Sequence, residues 1–202
     1  MDSVYENTDP SWLFDEKPLE TAETIEPRQL KLSGRRRNLA AIKQERLEDF
    51  LVLPEPGESI HIVSNGRFDY WNFCPVILSK TAKPARSFYG STWTMNRANV
   101  LDVLGLYDAG KITAVSILTG TYFKRRESSV CNTLVEGLLS RGQRYRAFQN
   151  HAKVMLLEMP PDYFSIEGSA NFTANPRLEQ TVISNERSLW EFHRAWFEEM
   201  LA

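Results

Sequence analysis

The sequence predicts an α/β protein with a mixed β-sheet flanked by helices on both faces. From residue 59 onward, short apolar runs typical of strands alternate with longer segments of helical periodicity. That alternation is the order that covers both faces of a sheet with helices. The composition, 42% hydrophobic and 25% charged, is that of a folded globular chain. With 202 residues, the chain can form one domain with a sizeable core.

The first 57 residues are predicted to form an N-terminal helical and disordered extension. Residues 1–32 are interpreted as an acidic leader, disordered or loosely docked, because residues 1–30 hold eight carboxylates against Lys17 and Arg28. Residues 33–57 are predicted to be a helical arm and linker, in which Ser33 is a candidate cap. The apolar positions spaced for one helical face are Leu39, Ile42, Leu47 and Phe50, and the residues that end the helix are Pro54, Pro56 and Gly57.

Residues 58–202 are predicted to be the catalytic domain. A buried segment at 70–78 is interrupted by Pro75. Gly110 and Gly142 are expected to close the two internal helices. The predicted strands are 59–64, 87–94, 113–120, 145–148, 151–157, 163–167 and 181–184, and the predicted helices are 99–109, 128–139 and 188–201. The last helix is expected to turn one set of residues inward: Leu189, Phe192, Trp196, Phe197 and Met200.

Four reactive side chains are spaced as a catalytic site requires. In a strand alternate side chains share a face, so His151 and Lys153 are expected to point the same way. Ser169 and Asn171 repeat that spacing after a short connection. Neighbouring strands would then bring an imidazole, an ammonium, a hydroxyl and an amide to one surface, which suits a phosphodiester. Read alone, the glycine, serine and asparagine also fit an ordinary turn.

These residue types support phosphoryl transfer without a metal or another cofactor. A neutral His151 can attack phosphorus and form a phosphohistidine that water later resolves. Lys153 and Asn171 can neutralise the charge on the phosphoryl oxygens. The attacking nitrogen must be unprotonated, so the other ring nitrogen needs an acceptor for its proton, and Glu179 is the candidate.

His151-x-Lys153 followed by Gly168-Ser169-x-Asn171-Phe-Thr resembles the HKD motif of the phospholipase D superfamily, in its single-motif, nuclease-like form. The resemblance runs from about Ile60 to the C-terminus and is greatest to phage and prophage proteins. It implies a phospholipase D-like fold. It also places the motif's acidic position on Glu158, a Glu where Asp is usual, and gives Glu158 and Gly168 structural roles.

The same resemblance implies that two chains meet at the active site. Such sites use two motif copies across a two-fold axis, one histidine as nucleophile and the other as general acid. This chain has three histidines, and neither His61 nor His193 begins a second His-x-Lys. The resemblance therefore predicts an isologous homodimer. His61 is expected to be an ordinary strand residue, and His193 a solvated position on the last helix.

The expected function is that of a metal-independent endonuclease, a phosphodiester hydrolase acting on DNA in preference to RNA. Candidate substrate-binding cations near the motif are Lys124, Arg125, Arg126 and Arg146, with Arg141 and Arg144 beside them. The alternative for these cations is a solvated face. The alternatives for the function are a non-catalytic nucleic-acid or partner-binding protein on the same fold, and a phosphodiesterase acting on phospholipid. For the five scattered tryptophans, core packing is favoured over base stacking.

The expected location is the cytoplasm of a bacterium or of a phage-infected cell, with no membrane partner. The acidic N-terminus does not resemble a signal peptide, and no apolar run approaches the ~20 residues of a membrane span. Cys74 and Cys131 lack metal-ligand spacing and are expected to be thiols.

Overall fold

The computed structural model describes residues 28–32, 36–38, 47–64, 70–173 and 177–202. The strands in these ranges are β1 (Arg28–Leu32), β2 (Arg36–Asn38), β3 (Glu58–Ser64), β4 (Ser87–Thr92), β5 (Val115–Gly120), β6 (Arg144–Phe148), β7 (Val154–Met159), β8 (Asp162–Gly168) and β9 (Glu179–Asn185). These nine described strands form one sheet in the order β2-β1-β3-β9-β8-β7-β4-β5-β6. The β4–β5 and β5–β6 pairs are parallel and the others antiparallel, so the sheet is mixed as predicted.

Helices cover both faces of the sheet. The described helices are α1 (Leu47–Phe50), α2 (Phe73–Thr81), α3 (Arg97–Asp108), α4 (Thr121–Arg126), α5 (Ser128–Leu139) and α6 (Arg187–Leu201), with a 3₁₀ turn at Tyr70–Asn72. Buried side chains from α1 to α5 form the larger core on one face. On the other face α6 packs Trp190 and Phe197 against Tyr89, Leu118 and Leu156. The predicted α/β class with a sheet covered on both sides is confirmed.

Strand β7 shows how one apolar run supplies both cores. Met155 and Leu157 point into the larger core, whereas Val154 and Leu156 pack toward α6. All four are buried, as expected for a central strand whose successive side chains alternate between two covered faces. This central position gives the residues just before β7 a rigid support.

Local signals in the sequence explain where α3 begins and where α3 and α5 end. The side chain of Asn96 accepts a hydrogen bond from the Asn99 backbone N–H at 2.8 Å and caps α3. After α3 and α5, Gly110 and Gly142 adopt φ values of 66° and 68°, a left-handed conformation that glycine adopts without strain. Helix α5 has the bounds that the sequence predicted.

Two predicted elements near the C-terminal domain's start and end differ from the structure. The segment at 70–78 becomes a 3₁₀ turn and α2, and Pro75 lies in the first helical turn, where its missing N–H costs nothing. In α6 the inward positions are Trp190, His193 and Phe197, whereas Phe192 is 66% exposed. The prediction that Phe192 faces inward is wrong because the helix is rotated to bury Trp190 and His193.

The N-terminal extension is also different where it is described. Residues 28–32, placed in the disordered leader by the sequence, form β1 and pair with β3. The helical arm predicted from Ser33 is wrong at Arg36–Asn38, which is the edge strand β2, and is reduced to α1 at Leu47–Phe50. The rest of the leader and arm, at 1–27, 33–35 and 39–46, lies outside the described residues. In the part of the chain that is described, no helix is long and apolar enough to cross a membrane.

Candidate active site

The candidate site lies at one edge of the sheet, where strand ends from both halves of the domain meet. Parallel strands β4, β5 and β6 end there, and the edge is the usual ligand-binding side of such a sheet. Antiparallel β8 ends at the same edge, while β7 and β9 begin there. Segments far apart in the sequence therefore deliver their terminal side chains to one place.

His151 and Lys153 meet at this edge through direct contact. The Lys153 ammonium nitrogen lies 2.8 Å from His151 Nδ1 and donates to the His151 carbonyl oxygen at 2.6 Å. Both residues precede β7, so the strand begins three residues later than the sequence predicted. Their side chains nevertheless share a side, as predicted. His151 is exposed, whereas Lys153 is only 8% exposed.

Burial changes the proton affinity of Lys153. Removal from water lowers the pKa of this ammonium, and the nearby Glu179 carboxylate opposes that shift in part. Among the described residues the ammonium contacts a ring nitrogen and a carbonyl oxygen, and no carboxylate lies at ion-pair distance from it. Lys153 is thus a cation held where a positive charge is unfavourable.

Asn150 fixes the backbone that carries His151, and the sequence interpretation missed it. Its buried amide donates to Ser91 Oγ at 2.9 Å and to the Leu118 carbonyl oxygen at 3.4 Å, linking the ends of β4 and β5. Its side-chain oxygen accepts from the Ala152 N–H at 3.0 Å. These bonds hold the turn on both sides of His151. A buried asparagine beside the motif was the available signal, because such an amide needs several partners.

Ser169 and Glu179 form the second half of the site. The Ser169 hydroxyl donates to the Glu179 carboxylate and accepts from the Gln180 backbone N–H at 3.0 Å. Glu179 is buried and acts electrostatically on Lys153, which connects the two halves. The predicted hydrogen bond from His151 to Glu179 is not among those that the described residues form. Whether Glu179 orients His151 stays a prediction.

Asn171 is held close to the same edge by its neighbour. The backbone N–H of Phe172 donates to Thr92 Oγ1 at 3.1 Å, so the loop after β8 is fastened to the end of β4. The side-chain oxygen of Asn171 is buried, and no partner for it exists among the described residues. The unpartnered atom is an acceptor, whereas the amide nitrogen of the same side chain is the atom that can donate to a phosphoryl oxygen.

Gly168 and Tyr70 support this arrangement from below. A Cβ at Gly168 would lie 2.6 Å from the Tyr70 ring, so only glycine lets the two approach. The Tyr70 hydroxyl donates to the Ile166 carbonyl at 2.7 Å and lies 3.3 Å from that of Lys153. Burial, and secondarily Glu167, raises the pKa of Tyr70, so the hydroxyl stays a donor. The structural role expected for Gly168 stays a prediction.

Glu158 lies near the opposite end of β7, four residues and about 13 Å from Val154 at the usual rise per residue. Its carboxylate accepts a hydrogen bond from Ser87 Oγ at 2.8 Å, next to the start of β4. The structure therefore does not bring Glu158 into the site. Its contact joins two neighbouring strands, and the structural role that the motif resemblance implied stays a prediction.

The predicted cations separate into two groups. Lys124, Arg125 and Arg126 are exposed on α4, which begins directly after β5 at the site edge. Arg146 instead donates to the Met200 carbonyl oxygen at 2.7 Å. Arg144 forms two hydrogen bonds to Glu198, and these hold the pKa of Glu198 at about 2.

Arg141 is similarly paired with Asp108 at 2.6 Å. The expected rim of cations is therefore reduced to α4, because Arg141, Arg144 and Arg146 bind other parts of the chain.

Two aromatic rings border His151, and the sequence interpretation did not place them there. The Trp93 and Tyr122 rings stack with centroids 4.1 Å apart and planes 19° apart. The Trp93 centroid is 5.8 Å from that of the His151 ring. Both aromatic residues are half-buried; Trp93 directly follows β4, and Tyr122 lies in the first turn of α4, which follows β5. Their position after strand ends was the available signal.

The other two histidines lie elsewhere. His61 is half-buried in β3, as expected. The expectation that His193 is solvated is wrong: it is 7% exposed, accepts from Trp196 Nε1 at 3.0 Å, and has its Nε2 3.3 Å from a Glu167 carboxylate oxygen. That contact lowers the pKa of Glu167. Within the described ranges, no three His, Cys, Asp or Glu side chains are grouped to hold a metal ion.

Comparison with known proteins gives matches to solved structures. No family model matches the sequence, and no match is found among curated proteins. A polyphosphate kinase from Porphyromonas gingivalis is 13% identical over 70% of this chain and 26% of its own, with a TM-score of 0.52. The fold is phospholipase D-like. This confirms the recognition made from the motif, at the level of the fold.

Two smaller proteins resemble the chain over most of their own length. Nuc from Salmonella typhimurium, a phospholipase D family member, is 18% identical over 63% of this chain and 85% of its own, with a TM-score of 0.48. NucT from Helicobacter pylori is 14% identical over 65% of this chain and 89% of its own, with a TM-score of 0.44. At these identities the similarity concerns the fold alone.

Proposed function

We propose that the protein is a phosphodiesterase that cleaves nucleic acid, DNA in preference to RNA, through a phosphohistidine formed on His151 in a homodimeric site. The observation that carries the proposal is the contact between an exposed imidazole and a buried ammonium at an open sheet edge. An exposed ring can reach a substrate, and a cation without a carboxylate at ion-pair distance is available to a phosphate.

Lys153 is the phosphate-binding cation in this scheme. Its ammonium is held by an imidazole nitrogen and a carbonyl oxygen, both weaker partners than an anionic phosphate oxygen. Binding of a phosphate therefore compensates the charge that burial leaves uncompensated. Ser169 and Asn171 lie on the loop that follows β8 and supply a hydroxyl and an amide to the same phosphoryl group.

The contact between Lys153 and His151 also controls which ring nitrogen is nucleophilic. A protonated Lys153 donates to Nδ1, so the neutral ring carries its proton on Nε2. When the ammonium transfers to the phosphate, Nδ1 is free to hold the proton and Nε2 gains the lone pair that attacks. Glu179, already close enough to act on Lys153, is the carboxylate proposed to accept from Nδ1 in that state.

The two chemical steps then require a second histidine. Nε2 of His151 forms a bond to phosphorus while the bond from phosphorus to the leaving oxygen breaks, and His151 of the second copy gives that oxygen a proton. Water then attacks phosphorus, the phosphorus–nitrogen bond breaks, and the second histidine takes up the water proton. His61 and His193 lie in other parts of the fold, which supports the use of a second copy.

Positive charge beside the site supports a polyanionic substrate. Lys124, Arg125 and Arg126 are exposed on α4, next to the strand end that adjoins His151. Contacts between such cations and phosphates are independent of base sequence, so they favour binding along a nucleic-acid backbone.

The test is cleavage of a panel of substrates by the full-length protein in excess EDTA. Labelled single-stranded DNA, duplex DNA, RNA and a phosphatidylcholine vesicle are compared for the wild type and for His151→Ala. Chelator-resistant nucleic-acid cleavage that the substitution removes is the expected result. Salt-sensitive binding without turnover would instead identify a binding protein, and cleavage of the vesicle alone a phospholipase. Loss of cleavage in EDTA would contradict the metal-independent mechanism.

A further inference from the structure

A small cavity opens directly beside His151, and its walls are aromatic and amide groups. It has a volume of about 330 Å³ and is lined by Trp93, Gly120, Thr121, Tyr122, Gln149, Asn150 and His151. His151 is the only titratable group of the phosphoryl-transfer scheme among these lining residues. Neighbouring cations do not line the cavity, so an anionic group would find little compensation there. The walls instead suit a planar, uncharged group with polar edges.

The aromatic wall is built by close backbone approach. A Cβ at Gly120 would lie 2.5 Å from Trp93 Cδ1 and 3.0 Å from the Asn150 carbonyl oxygen. Glycine at this strand end therefore lets the indole settle between β5 and the turn that carries His151. Tyr122 stacks on that indole, and the Arg126 guanidinium carbon lies 5.4 Å from the Tyr122 ring centroid. These contacts within the protein hold both rings in place before a substrate binds.

We infer that this cavity binds one unpaired nucleobase next to the phosphate that His151 attacks, so that the substrate is single-stranded nucleic acid. The inference rests on the proposed function and names its substrate class. Planar bases stack on aromatic side chains regardless of base identity. The amide of Gln149 and the hydroxyl of Thr121 can bond to base edges, since both line the cavity.

The size of the cavity favours single strands over duplexes. Its volume is at the lower limit of ordinary small-molecule sites, which is enough for one base and too little for a base pair with its stacked neighbours. A base in a duplex must leave its stack and its partner before it can enter. That extrusion costs about as much as one aromatic contact returns, so a single stacking site favours bases that are already unpaired.

The experiment moves a single abasic nucleotide through a single-stranded DNA oligonucleotide, one position at a time, and measures cleavage and binding by the full-length protein. We expect an abasic nucleotide beside the scissile phosphate to weaken binding or kcat/KM about five- to 150-fold, equivalent to about 1–3 kcal/mol. Trp93→Leu and Tyr122→Leu should lose a similar factor on intact oligonucleotide. On the oligonucleotide that is abasic beside the scissile phosphate, these variants should bind or cleave almost as well as the wild type does on that same oligonucleotide. Phe192→Leu, an exposed ring on α6, is the matched control.

The outcomes separate this inference from the proposed function. Chelator-resistant cleavage that is equal for intact and abasic oligonucleotides, and equal for single strands and duplexes, would overturn the inference and leave the nuclease intact. If nothing is cleaved, fluorescence anisotropy of the same oligonucleotides decides. A position-dependent loss of affinity that Trp93→Leu removes supports the subsite without catalysis, and uniform affinity overturns it. Because the abasic series needs no variant, a Trp93→Leu protein that fails to fold does not prevent the decision.

Discussion

The charged side chains at the two ends of strand β7 differ in their burial and in their hydrogen-bond partners. At its start, Lys153 is buried against a ring nitrogen and a carbonyl oxygen, and burial lowers its pKa. At its other end, half-buried Glu158 accepts a hydrogen bond from Ser87 and joins β7 to β4. One charge is held at a cost to the fold, whereas the other contributes an ordinary interstrand contact. Although both residues belong to one sequence motif, we expect only Lys153 to take part in the reaction.

The same distinction separates the cations of the molecule. Arg141 and Arg144 make two hydrogen bonds each to a carboxylate, and those bonds raise the pKa of each guanidinium. Lys153 forms no such pair with a carboxylate in the part of the chain that the structure describes. This contrast is the basis for proposing that a ligand is the anionic partner of Lys153. The predictions below test this contrast, beginning with the largest effect.

Replacing the exposed imidazole should have the largest effect on activity and almost none on the fold. His151→Ala is expected to lower kcat by at least about 10³-fold, because removal of a nucleophile leaves only binding and electrostatic contributions. Thermal unfolding and sedimentation should match the wild type, since the ring is exposed. Retained turnover in a variant of unchanged fold would remove His151 from the chemistry.

Replacing the buried ammonium should lower activity and raise stability together. Lys153→Met is expected to reduce kcat about 10²- to 10³-fold, the usual effect of deleting one oxyanion-stabilising donor. It should raise Tm at neutral pH, because the desolvated charge is gone. Lys80→Met, at an exposed position on α2, is the control and should leave both unchanged. A lower Tm for Lys153→Met would show that the ammonium is a structural cation.

The pH dependence of that Tm difference follows from the direction of the pKa shift. The folded-state pKa of Lys153 lies below its ordinary value of 10.5, so between the two values the unfolded chain binds more protons. Wild-type stability from this group therefore rises with pH through that window. The Tm gap between Lys153→Met and the wild type should narrow as the pH approaches 10.5 from neutrality, within the range where the protein stays folded.

Loosening the turn that carries His151 should have a smaller, purely positional effect. Asn150→Ala removes the side-chain bonds to Ser91, Leu118 and Ala152 and is expected to lower kcat about 10- to 100-fold, with a smaller change in KM. Asn150→Asp, which keeps the acceptor for the Ala152 N–H, should recover part of the loss. If both variants lose the same activity, and the loss only reflects a smaller amount of folded protein, Asn150 has a structural role and does not position His151.

Changing the carboxylate at the far end of β7 should have the smallest effect. Glu158→Gln keeps an oxygen that accepts from Ser87 and is expected to change kcat less than about twofold and stability by no more than about 0.5 kcal/mol. Glu179→Gln, at the other end of the sheet, is the matched comparison and should reduce kcat much more. Equal kinetic losses in the two variants would contradict the division between the strand's ends.

Local patterns were sufficient to predict most of the fold. The bounds of α5, the glycines after α3 and α5, and the central strands follow from periodicity and from turn residues. The two-faced burial of β7 follows from its uninterrupted apolar run. The segment at 70–78 was harder, since a short apolar run fits a strand or a helix, and Pro75 is compatible with a helix only in its first turn.

Pairings between distant residues account for what the sequence did not predict. Strand β1 exists by pairing with β3, and the rotation of α6 depends on Glu167 and the underlying sheet, so neither could be read from local spacing. The motif predicted that His151 and Lys153 would meet. It could not predict that Trp93 and Tyr122 would lie beside them, because those rings follow the ends of two other strands, β4 and β5.

The most direct measurement is the capture of a phosphorylated enzyme. An oligonucleotide with ³²P at its internal phosphodiesters is mixed with full-length protein, quenched with alkaline denaturant within milliseconds to seconds, and the labelled peptide is sequenced by mass spectrometry. The account predicts an acid-labile phosphoryl group on the peptide containing His151, which appears and decays within a turnover and is missing from His151→Ala. Turnover with no label on that peptide at any time, or label on another side chain, would contradict it.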